Sequence, residues 1–128
     1  MRWTIPVTGT VAALAAALAS AQPLPEITVT SSRLVEATID ATPGKVPVVR
    51  VSLGYTVSTA GLDLSTHAGA QQFERRVSDA AWAACRELGK LYPHSTPDDA
   101  QCARAATSDA MVKVRALEAA AAMLKSGR

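Results

Sequence analysis

The chain has 128 residues, with thirteen Lys and Arg against eleven Asp and Glu, two His and two Cys. That length holds one small domain, and a net charge of +2 without any basic run lacks the concentrated positive charge of a nucleic-acid binder. Aromatic residues make up only 4%, so a core of Ala, Val and Leu buries little area per residue and gains from a covalent staple.

The chain opens "MRWTIPVTGTVAALAAALASAQPLP". Arg2 gives a positive start, Val7 to Leu18 form a short Ala-rich apolar run, and Ala19-Ser20-Ala21 has the small-x-small pattern of a signal-peptidase site. Residues 1–21 therefore read as a signal peptide and Gln22 as the mature N-terminus. The run is shorter than the roughly 20 residues needed to cross a bilayer, and Pro23 and Pro25 oppose its continuation. Export to the periplasm or beyond is the expectation, with no membrane span in the mature chain.

Residues 22–33 read as a flexible N-terminal arm. Val35, Ala37 and Ile39 then alternate with polar residues, which predicts a strand over about 34–40. "TPGK" offers Pro43 and Gly44 at the two central positions of a type II turn. A second alternating run predicts a strand over about 46–57, with Val49, Val51, Leu53, Tyr55 and Val57 on one face. Together these make a β-hairpin.

The period then changes. Phe73, Val77, Ala80, Ala81, Ala84 and Leu88 recur at helical spacing, predicting a helix over about 66–89 that Ser65 or Thr66 caps and Gly89 ends. Asp63 reads as a residue that turns the chain into this helix, and Arg75 with Asp79 as a minor i,i+4 pair. A second helix is predicted over about 97–125, with Thr96 as N-cap, Pro97 as its first residue, and Asp98 and Asp99 complementing the positive dipole end. Its main stripe is Ala103, Ala106, Ala110, Val114, Leu117, Ala121 and Leu124. Ala105, Val112, Ala116 and Met123 widen the stripe, so this helix should meet more than one neighbour, a second copy of the chain among them.

Cys85 lies four residues before Gly89 and Cys102 five residues after Pro97. In an antiparallel helical hairpin both thiols sit about one turn from the loop, at nearly the same height. An oxidising compartment and two cysteines with none left over favour a Cys85–Cys102 disulfide. The C-x-x-C redox spacing is absent, and a zinc site would need His94 and the distant His67 beside both thiols. No metal and no cofactor are expected.

Trp82 falls opposite Phe73 on the helical wheel and is the candidate partner contact. The competing expectation, favoured by the scarcity of large core side chains, is that the hairpin or N-terminal arm covers it. Tyr92 and His94 read as loop residues. No Ser-His-Asp set with supporting context, Gly-rich phosphate loop or His-rich ligand set is present, so catalysis is not expected.

The strand "VVRVSL", "LDLST" (Leu62 to Thr66), Ala68-Gly69, "RRVSDAAWAAC" (Arg75 to Cys85), Cys102 and "DAMVKV" (Asp109 to Val114) resemble the UrcA family of small exported bacterial proteins, across roughly residues 46–124. The chain departs from the family pattern at Gly61, where the first Asp of Asp-Leu-Asp-Leu usually stands, and at Arg86, often Gly. The resemblance implies a signal peptide and a two-cysteine helical domain at residues 34–128, with no established activity. The combined expectation is an α+β fold, a β-hairpin followed by an antiparallel two-helix hairpin stapled by one disulfide. Its role would be that of a non-catalytic periplasmic structural or partner-binding module. The alternative is an envelope metal-ion binder using His94 and nearby acids.

Overall fold

The computed structural model describes residues 24–37, 44 and 46–127. In chain order they form strand β1 (Glu26–Glu36), strand β2 (Val48–Ser58), helix α1 (His67–Leu91) and helix α2 (Asp99–Ser126). The architecture is the α+β hairpin-plus-helical-hairpin expected from the sequence. The signal segment and most of "TPGK" lie outside the described residues; Gly44 itself has φ +105°.

The two strands pair antiparallel along their whole length, from Glu26 opposite Ser58 to Glu36 opposite Val48. The first strand therefore begins eight residues earlier than expected. Residues 26–33 are not a free arm but the most buried part of the sheet, and the strand ends at Glu36, with residues 38–40 outside the described set. Its inward row is Ile27, Val29, Ser31 and Arg33, all buried. The parity seen at Val35 and Ala37 runs back through these positions, but two of them are polar and hide the strand in the sequence.

Polar groups turned inward need partners. The Ser31 hydroxyl donates to the Ala81 carbonyl at 3.3 Å. Arg33, 4% exposed, donates Nη1 to Ser95 Oγ at 3.2 Å and pairs through Nη2 with Asp99.

The passage from β2 to α1 is built by side chains bonding to backbone. The Asp63 carboxylate accepts from the Ser65 backbone N–H at 3.0 Å, and Thr66 caps the helix by accepting from Gly69 N–H at 3.0 Å. These bonds to Ser65, side chain first and backbone second, hold the Asp63 carboxyl below its ordinary pKa. Residue 69 must be glycine because a Cβ there would lie 1.9 Å from the Asp63 carbonyl oxygen. Arg76 ties the same corner down, donating to the Ser58 and Ala60 carbonyls at 3.1 and 2.9 Å.

Ile27, Val29, Val57, Phe73, Val77, Ala81, Ala106, Ala110 and Val114 form the main core. The helix faces match the predicted stripes except at the end of α2, where Leu124 is exposed. No helix among the described residues is long and apolar enough to cross a membrane.

Both ends of the helix-helix loop differ from expectation. Helix α1 runs through Gly89 to Leu91. Gly89 does not end the helix; it makes room, since a Cβ there would lie 2.9 Å from Asp99 Oδ1 and 3.4 Å from Arg33 Nη1. The N-cap of α2 is Asp98, whose carboxylate accepts from Gln101 N–H at 2.8 Å, and not Thr96. Thr96 is drawn off to bond Leu34 in both directions, at 2.7 and 3.0 Å, on the outer edge of β1. Asp99 does more than complement the dipole, because it is the partner of Arg33.

Candidate partner-binding site

Cys85 and Cys102 are disulfide-bonded, with Cα atoms 5.9 Å apart and a sequence separation of 17. They form a small cluster of their own with Ala103, separate from the main core. Chain entropy assigns a loop of this length about 3 kcal/mol. With both thiols consumed, Cys102 Sγ lies 3.8 Å from the Ser32 carbonyl oxygen.

The competing expectation is that the hairpin or N-terminal arm covers Trp82; among the described residues that cover is partial. The side chain is 37% exposed and borders an open cleft of about 700 Å³ at the loop end, beside Arg86, Lys90 and Pro93. Arg33, Ser95, Asp98 and Asp99 also line this cleft. Their polar atoms are largely committed to one another: Arg33 to Asp99 and Ser95, Ser95 Oγ to the Tyr92 carbonyl at 2.6 Å, and Asp98 to the helix cap. What the cleft leaves available is a half-exposed indole flanked by two cations.

His94 is exposed in the loop, and His67 is the exposed first residue of α1. Among the described residues no three of His, Cys, Asp and Glu come together as a set that could hold a metal ion. The expected Arg75–Asp79 pair is not formed, and the ion pair among the described residues is Arg33–Asp99.

The second surface lies on α2. Its buried face is Ala103, Ala106, Ala110 and Val114. Diametrically opposite, Val112, Ala116, Ala119 and Met123 follow at spacings of four, three and four, and all four are exposed. Val112 and Met123 are each 73% exposed. The buried face meets both α1 and β1, and the widening residues Val112, Ala116 and Met123 form a second apolar face that nothing covers among the described residues.

Between the helices, Glu74 of α1 and Glu118 of α2 bring two carboxyls together, and Glu118 Oε1 is buried. Burial first, and the facing Glu74 second, hold the Glu118 pKa above its ordinary value, while Arg115 pulls the other way. Neither this pair nor Arg33 was legible as a site, because a lone charged residue in an amphipathic pattern looks like solvated surface.

No family model, no curated protein and no solved structure matches the chain.

Proposed function

We propose that this is an exported, non-catalytic module that binds a protein partner in the cell envelope, with UrcA-like character. The observation that carries the reading is the exposed outer face of α2, where Val112, Ala116, Ala119 and Met123 present an apolar stripe at the spacing one helix uses to pack against another. Trp82 adds a second contact point, since a half-exposed indole beside Arg86 and Lys90 suits a partner carrying an acidic group. The signal-like start and the disulfide support an oxidising location, periplasmic or secreted. A non-catalytic role is supported by the cleft, where Arg33 Nη1 and Nη2 and Ser95 Oγ are held by Ser95, Asp99 and the Tyr92 carbonyl, although Arg33 Nε has no partner.

The test is affinity capture from envelope extract with the native protein as bait. A partner that uses the α2 face is retained by the wild type, lost with Val112→Glu and Met123→Glu, and weakened by Trp82→Ala. Retention that is indifferent to all three substitutions contradicts the proposal.

A further inference from the structure

The outer edge of β2 carries an inference independent of the α2 face. Leu34 gives both its N–H and its C=O to Thr96, so even-numbered residues of β1 point their backbone groups away from β2. The bonds from Ala37 N–H to Pro47 O at 2.8 Å and from Thr59 N–H to Pro25 O at 3.2 Å fix the same parity at the two ends of the hairpin. It follows that Val51, Leu53, Tyr55 and Val57 bond to β1, while Val48, Arg50, Ser52, Gly54 and Thr56 direct their N–H and C=O groups outward. The sheet has two strands, and among the described residues nothing pairs with that outer row.

The side chains beside this edge are also incompletely covered. Helix α1 packs on both strands, but among the described residues α2 reaches only β1. The helix-facing row of β2 is therefore left open, with Val49 47% and Tyr55 39% exposed and Val51 and Leu53 half-buried between them. A long edge that carries one charge, Arg50, and has no strand beside it is a template for another strand. Two stranded ribbons gain stability by becoming larger sheets.

We propose that the edge pairs with a second copy of this chain, β2 against β2 antiparallel, giving a continuous four-stranded sheet with its twofold axis at Leu53. Three observations choose a second copy. First, that axis sets even residues against even residues, which satisfies the outward-pointing groups: Ser52 meets Gly54 and Arg50 meets Thr56 of the other copy. Second, Arg50 is the only charged residue in β2, so this register brings no like charges together. On the helix-facing side Leu53 meets Leu53, and Val51 meets Tyr55 twice, an aromatic and β-branched pairing of the kind that stabilises sheets. Third, the other edge of the sheet is bridged at Leu34 by Thr96, and α2 packs against that strand. Among the described residues β2 is thus the more open edge, and a twofold pairing of it closes as a dimer.

The register gives the test. Thr56 is exposed on the face away from α1. In the dimer Thr56→Lys sets a cation opposite Arg50 at two symmetric places, and Thr56→Glu sets an anion there. Sedimentation equilibrium on the purified native protein, from micromolar to millimolar concentration, is expected to show a mass that doubles. Thr56→Lys weakens the dimer roughly tenfold and Thr56→Glu strengthens it about threefold. Val112→Glu leaves it unchanged. Hydrogen exchange on the wild type needs no substitution: amides of Arg50, Ser52, Gly54 and Thr56 gain protection as concentration rises, while those of Val51, Leu53 and Tyr55 are protected throughout. A protein monomeric at millimolar concentration overturns the proposal. So does a dimer that responds to Val112→Glu, or one that treats both Thr56 variants alike.

Discussion

At the loop end of the helical hairpin, the Cys85–Cys102 bond joins α1 to α2, while Thr96 bridging Leu34 and Asp99 pairing with Arg33 fasten the loop and the start of α2 to β1. At the opposite end the helices meet through Phe73, Val77, Ala110 and Val114, with the Glu74 and Glu118 carboxyls beside them, and α2 continues with Leu124 exposed. The side chains explain the contrast. Phe73 and the valines bury enough apolar area to hold their end by packing. Ala84 and Ala103 bring the backbones close but bury little, so covalent and ionic fastening carries the loop end.

Removing the covalent fastening has the largest expected effect. Cys85→Ala with Cys102→Ala lowers unfolding free energy by about 3 kcal/mol in denaturant titrations. Hydrogen exchange should show the loss first between Leu88 and Cys102, and later around Phe73. Simultaneous loss at both ends would mean that the two regions are not separately secured.

The ionic fastening comes next and is asymmetric. Asp99→Ala leaves a buried guanidinium with Ser95 as its remaining side-chain partner and costs about 2 kcal/mol. Arg33→Met takes the charge out of the interior and leaves Asp99, part-exposed at a helix N-terminus, adequately solvated; the cost is below about 1 kcal/mol. Equal losses from the two substitutions would show that Arg33 stabilises the fold by its charge alone.

The smallest effect belongs to the far end and depends on pH. Because the Glu118 pKa is raised in the folded protein, the folded state holds more protons than the unfolded one between the ordinary value and the raised value. The stability this provides is complete below the ordinary carboxyl value and is lost as pH rises through the raised one. Glu118→Gln therefore flattens the stability profile over that window. Asp63, with its pKa lowered by Ser65, works in the opposite sense: its contribution is present above the ordinary value and lost as pH falls through the lowered one. A wild-type profile without the Glu118 decline would remove the carboxyl pair from the account.

The helices and the disulfide were legible because periodicity and chain height suffice to place them. Residues 26–33 were not, because Ser31 and Arg33 occupy inward positions and their burial depends on partners some fifty to sixty-six residues away. Gly89 misled for a related reason. Glycine near the end of a helical pattern normally marks a stop, but here the space it leaves is filled by Asp99 and Arg33. The exposed face of α2 was legible as an arc too wide for one neighbour. That Trp82 would stand half-exposed was not, since the sequence does not reveal how far the hairpin reaches.

The central claim is that a covalent link secures the weakly packed loop end. Intact mass of the native protein after alkylation, with and without prior reduction, tests it most directly. The account predicts no added alkyl group on the unreduced protein and two after reduction, whereas modification of both Cys85 and Cys102 without reductant would contradict it.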